Sequence, residues 1–328
     1  MHVQIISFVR PALLALAVFL LAAPAHAYTA YVTNERDNTV SVVDLDKMTT
    51  VKTIPVGQRP RGITITPDGK ELLVCASDDD TIQIIDTATL KVAGELPSGP
   101  DPETFALAAS GNLLYVSNEN DAMVTIIDVP ARKALIQIPT GVEPEGMSVS
   151  PDGKTIVNTS ETTNMAHFID FATRKVVANV LVDPRPRVAE WRHDGAQVWV
   201  SSELGGTVSV IDPTTHKVIQ KIGFDVQGLR GDAIQPVGIR FTQDDALAFV
   251  ALGPANRVAV IDTKTYKVKK YLLVGQRVWQ MALTPDGKRL LTTNGLSNDI
   301  SVIDIAALYV EKSIPVGRLP WGVTVSPK

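Results

Sequence analysis

One cysteine in 328 residues leaves no partner within the chain, so no internal disulfide braces the fold. Cys75 lies in the apolar run Leu72-Leu73-Val74-Cys75-Ala76 and reads as a buried, inert thiol. Cys-x-x-Cys-His is absent, which excludes covalent haem attachment. Beyond residue 27 only His167, His193 and His216 remain, at three unrelated places in the chain, so no His/Cys set has metal-ligand spacing. There is no Gly-x-Ser-x-Gly elbow and no phosphate-cradling loop. Helical periodicity is missing as well. Basic charge is in short supply: 31 Lys and Arg stand against 35 Asp and Glu. A chain of that sign has no general attraction for nucleic acid or an anionic membrane, and basic-aromatic interleaving for a single strand is scarce.

The one long apolar run is N-terminal. Arg10 precedes Pro11–Pro24, which is almost wholly apolar, and Ala25-His26-Ala27 supplies a small-x-small cleavage pattern. The run is short for a bilayer crossing, so residues 1–27 are expected to be a signal peptide and the product periplasmic, with no membrane span after cleavage. Residues 28–328 would then form one domain with 30 basic and 35 acidic residues, a net charge of −5.

That domain is a repeat. An apolar strand ending in Asp recurs at Asp44, Asp86, Asp128, Asp170, Asp212, Asp262 and Asp304, with spacings of 42 residues broken once by 50. Pro-Asp-Gly turns at residues 67–69, 151–153 and 285–287 keep the same rhythm, and Asp-Gly there favours a tight link between strands. Each unit reads as four short strands, as in Gly62–Thr66, Glu71–Cys75, Thr81–Asp86 and Lys91–Leu96. Seven four-stranded units predict an all-β, seven-bladed β-propeller. Residues 28–33 match a second strand with no first strand before them, and Trp321–Ser326 is a first strand with no second after it. The two ends are expected to pair and close the ring. The seven recurring aspartates read as turn caps.

Tyr31-Val32-Thr33-Asn34 and Tyr115-Val116-Ser117-Asn118, with the Asp-ended strands and Pro-Asp-Gly turns, resemble the YVTN-repeat family of seven-bladed propellers. More narrowly, the chain resembles propeller proteins associated with pyrroloquinoline-quinone-dependent alcohol catabolism. The resemblance implies a periplasmic accessory role beside a quinoprotein dehydrogenase or its cytochrome c, and it carries no catalytic motif. Leu73-Val-Cys-Ala76, Trp199-Val-Ser-Ser202 and Phe249-Val-Ala-Leu252 depart from the motif, which favours its reading as a structural strand.

Loops from each fourth strand into the next first strand gather at one mouth of a propeller channel. Six residues before the Pro of the turn stand Arg61, Glu103, Glu145, Arg187, Val237, Trp279 and Trp321. Two residues earlier stand Arg59, Asp101, Glu143, Arg185, Gln235, Arg277 and Leu319. A ring that varies in charge while its framework repeats is a candidate site, with Arg as planar donor and Trp as anchor for a polar partner. The same residues read alternatively as ion pairs that neutralise one another. Asp101, Glu103, Glu143 and Glu145 are a third option, as a Ca²⁺ site, against which the neighbouring arginines compete. The eight extra residues fall within Gly223–Gln235, where Phe224, Leu229 and Arg230 suggest a binding flap. The expectation is a monomeric, non-enzymatic interaction protein without a cofactor. A lactonase-like hydrolase using Glu103 or Glu145 with Arg61 or Arg187 is the alternative.

Overall fold

The computed structural model describes residues 28–327 together with residues 1, 2 and 4. The expected leader, residues 1–27, lies almost wholly outside them. Among the described residues no helix is long and apolar enough to cross a membrane.

Seven four-stranded antiparallel sheets form the blades of a β-propeller. In blade 2 the strands run Pro60–Ile65, Glu71–Ala76, Thr81–Asp86 and Lys91–Pro97, innermost first. Blade 1 is composite, as expected from the two ends. Its inner strand Pro320–Val325 pairs with Thr29–Asn34, which continues to Thr39–Asp44 and Thr49–Pro55. Ala30 faces Val325 and Val32 faces Val323 across that closing ladder.

Second and third strands are buried almost throughout, while outer strands alternate between exposed and half-buried. The apolar core is divided accordingly, with one cluster between each pair of neighbouring blades. Leu73, Cys75 and Ile82 meet Leu114 and Val116 between blades 2 and 3, and Trp199 and Val210 meet Phe241 and Val250 between blades 5 and 6. Each blade thus depends on its two neighbours for burial. All seven strand-terminal aspartates cap their turns: Asp86 Oδ1 accepts the Thr89 amide at 2.7 Å and Asp304 Oδ1 that of Ala307 at 2.7 Å. The remaining five, Asp44, Asp128, Asp170, Asp212 and Asp262, do the same.

Candidate functional site

Apart from Val237, the mouth ring stands on strands and not in the loops expected of it. Arg61, Glu103, Glu145, Arg187, Trp279 and Trp321 do not lie in loops. They are the second residues of inner strands that begin earlier than expected, such as Pro60–Ile65 and Pro144–Val149. Each sits at a register shift: Pro60 pairs with Ala76 and Ile63 with Val74, leaving Arg61 and Gly62 outside the ladder. Pro144/Met147 and Pro186/Ala189 repeat the irregularity. The loop residue two positions earlier takes a left-handed backbone in six blades, at Arg59, Asp101, Glu143, Arg185, Arg277 and Leu319.

The bulge leaves the mouth residue's carbonyl to be satisfied from outside its blade. A hydroxyl on the preceding blade does so. Thr33 Oγ1 donates to Arg61 O at 2.8 Å, Ser117 Oγ to Glu145 O at 2.6 Å, and Thr159 Oγ1 to Arg187 O at 3.0 Å. Ser201 and Thr293 serve Val237 O and Trp321 O, each at 2.6 Å. The third position of Tyr-Val-Thr-Asn is therefore a clasp between blades, as a structural reading of the motif requires. The glycine after the mouth residue leaves room for it: a Cβ on Gly146 would lie 2.2 Å from Arg187 O.

These backbones aim their side chains into a belt of ion pairs that crosses blade boundaries. On one side, Arg59 bridges Asp101 (2.6 Å) and Glu103, and Arg61 bridges Glu103 (2.5 Å) and Glu35 (3.5 Å). On the other, Arg187 meets Glu145 (3.0 Å), Glu161 and Glu203 (3.7 Å). Arg185 reaches Glu161 (2.9 Å) and Glu203 (3.1 Å), and Arg277 reaches Glu203 (2.7 Å). Trp279 stacks beneath two guanidinium groups, Arg277 at 4.1 Å and Arg187 at 5.7 Å, and Arg61 lies 5.5 Å from the Trp321 ring. The ion pairs anticipated at an exposed mouth are buried instead: Glu103 is 0 %, Glu145 2 % and Arg187 4 % exposed. Buried pairs of this kind are costly to break, since each loss strands a charge.

Sequence reasoning missed half of the carboxylates. Glu35, Glu119, Glu161 and Glu203 each follow the second strand at the same place in the repeat, and an alignment of that position would have shown them. They read as turn residues because they stand just beyond the strand ends. The four carboxylates Asp101, Glu103, Glu143 and Glu145 do not assemble as a cation site. Asp101 and Glu103 gather with Glu119, their oxygens within 4.8 Å of one another. Glu143 turns to Thr162 and Glu145 to Arg187. Arg59 and Arg61 occupy oxygens of Asp101 and Glu103 that Ca²⁺ would need, so the donor set suits guanidinium better.

The two halves of the belt are unequally charged. Two arginines face Glu35, Asp101, Glu103 and Glu119, whereas three face Glu145, Glu161 and Glu203. In the acid-rich half, burial and the neighbouring Glu103 push Asp101 up to about 6 and Glu119 up to about 8. Burial also opposes ionisation of Glu103, but Arg61 and Arg59 outweigh it and hold this carboxyl below its ordinary value. Burial raises Glu145 despite Arg187.

The insertion is partly anchored. Val226 and Ile234 are buried in the core between blades 5 and 6, and Phe224 packs against it. Leu229 and Arg230 stay on the surface, where Arg230 pairs with Asp232 at 2.9 Å and takes no part in the belt. Cys75 is buried and free, its thiol pushed up by burial.

A family model described as "Lactonase, 7-bladed beta-propeller" matches residues 21–140. No curated protein sequence matches. Among solved structures, hydrazine synthase of Kuenenia stuttgartiensis shares 21% identity over 85% of this chain and 92% of its own, with a TM-score of 0.78. A functionally unknown protein from Desulfotomaculum acetoxidans shares 15% over 90% and 98%, at 0.77. Dihydro-heme d1 dehydrogenase NirN, in complex with DHE, shares 17% over 90% and 74%, at 0.69. At these identities the likeness is one of fold. The molecule is a seven-bladed β-propeller with lactonase-family resemblance over its first blades.

Proposed function

We propose that this chain is a non-enzymatic periplasmic docking protein serving quinoprotein-dependent alcohol oxidation. Its partner, a pyrroloquinoline-quinone-dependent dehydrogenase or its cytochrome c, seats on the face that carries the belt. The observation that supports this reading is the polarity of that face. Val142, Leu181, Leu204, Leu229, Leu273 and Leu296 are exposed there, on blades 4–7 or in the loops that lead into blades 4 and 6. The other exposed large apolar side chains beyond residue 28, such as Val51, Val92 and Tyr309, lie on outer strands around the rim. Across the channel the corresponding loops are acidic: Asp78, Asp79 and Asp80 are exposed, with Glu119 and Asp121 beside them. Apolar anchors on one side and an acid-rich sector on the other suit an oriented, partly basic partner. Arg185 and Arg230 are the members of the candidate site with most surface to offer it. The belt itself binds its arginines internally and serves as a rigid plug beneath the contact.

The test is direct binding of the mature chain to a purified quinoprotein alcohol dehydrogenase and to its cytochrome c, followed by calorimetry. The wild type should bind one of them. Leu204→Asp/Leu229→Asp should weaken binding by about tenfold or more while leaving the melting temperature unchanged. Equal binding by both forms would reject this face.

A lactonase-like hydrolase is the second reading, supported by the family match and by Glu119, pushed up to about 8, beside Glu103, which its arginines hold below its ordinary value. Turnover of a lactone panel that disappears in Glu119→Gln would favour it over docking.

A further inference from the structure

The opposite end of the channel holds a second feature, independent of the docking face. At the repeat position of Thr64, four residues after Pro60, the seven units carry Thr324, Thr64, Ala106, Ser148, Glu190, Arg240 and Ala282. Five of these are small. The exceptions, Glu190 and Arg240, stand on neighbouring blades 5 and 6 and pair at 3.1 Å. Both line a cavity of about 110 Å³ inside the channel and the funnel of about 350 Å³ that opens below it. Ile63, Phe105 and Val323 are apolar residues common to both spaces, while Thr64, His193 and Thr324 add to the polar side of the funnel.

Neither member of this pair is saturated. Arg240 Nη1 donates to Glu190 Oε2 and, at 2.7 Å, to the carbonyl of Ile239. Its Nη2 and Nε have no acceptor among the described residues. Trp321 also lines the upper cavity; it is 2 % exposed, and its indole N–H has no partner among the described residues. Burial pushes the Glu190 carboxyl up, and Arg240 and His193 only partly offset it.

From this geometry we infer that the lower channel binds a small monocarboxylate with an apolar body, its carboxylate on the open edge of Arg240 and its body against Ile63, Phe105 and Val323. A planar guanidinium edge matches two carboxylate oxygens, and a funnel of this size holds a short chain or a single ring. An amine would meet the guanidinium with like charge. An alcohol would forgo the charge-assisted hydrogen bond.

The experiment titrates hexanoate, 1-hexanol and hexylamine into the mature chain, read by ligand-observed NMR and calorimetry. Hexanoate should saturate one site, hexanol should bind about tenfold more weakly, and hexylamine should not bind. Arg240→Gln should lower hexanoate affinity about tenfold or more. Where that variant loses its native circular dichroism because Glu190 is left unpaired, Glu190→Gln/Arg240→Gln removes both charges and carries the same expectation. Absence of saturable hexanoate binding, hexanol binding as tightly as hexanoate, or unchanged affinity in a folded Arg240 variant would each overturn the assignment.

Discussion

Glu119 carries an imbalance that no single ion pair resolves. Its half of the belt has two guanidinium groups for four carboxylates, so a proton is the cheapest way to reduce the repulsion. The folded state holds that proton up to about pH 8, whereas an unfolded chain releases it near 4.5. This group therefore favours the fold fully below pH 4.5, and the advantage is lost as pH rises through about 8. Asp101 acts with the same sign but is spent by about pH 6. His167 acts with the opposite sign: burial lowers its pKa from 6.5, so it disfavours the folded state at lower pH. Between pH 6.5 and 8.5 the wild type should lose melting temperature more steeply than Glu119→Gln, which keeps the side chain's size and removes its titration. The comparison cancels Glu145 and Glu161, whose raised values are common to both proteins. Parallel melting curves across that window would show that Glu119 is already ionised.

The strands themselves were largely legible because their signals are local. Alternating apolar residues and Asp-Gly turns placed all four strands of a blade, and the side-chain oxygen of each terminal aspartate predicts its own cap. What stayed hidden depends on partners far apart in the chain. The bulge at Arg61 or Arg187 leaves no mark in composition, and without it the mouth residues read as loop residues. The ring itself emerged from alignment of the repeat, while its burial and the role of Glu161 or Glu203 follow from how closely seven inner strands converge. Thr159 shows what the clasp is worth to these elements. Its Oγ1 accepts the Gly146 amide at 2.8 Å within blade 4 and donates to Arg187 O in blade 5. Thr159→Val preserves shape but leaves two buried backbone groups unsatisfied, which should cost about 1–3 kcal/mol in denaturant unfolding. A change below about 0.5 kcal/mol would mean that the clasp is incidental to blade packing.

A ring of mutually dependent blades concentrates its vulnerability at the closure. Blade 1 draws its inner strand from residues 320–325 and the other three from residues 29–55, so Thr29 and Ser326 lie side by side. Ser326 N donates to Thr29 O at 2.8 Å, and Thr29 N donates to Ser326 Oγ at 3.0 Å. Removing Pro320 onward strips Val323 and Val325 from the core between blades 7 and 1, and the buried Trp321 from the belt. At about 1.5–3 kcal/mol for each buried large side chain, the burial lost is a large part of the net stability of a single domain. It also bares the edge of Thr29–Asn34 to pairing with other chains. The truncated protein should melt far below the wild type and aggregate. A circular permutant tests closure separately from chain length: join the adjacent ends by a short Gly-Ser linker and open the chain in the turn at residues 151–153. That turn lies at the lower face and its glycine has free space around it. The permutant retains every blade interface and should melt within a few degrees of the wild type. If the truncation melted as the wild type does, closure through the composite blade would not be what holds the ring.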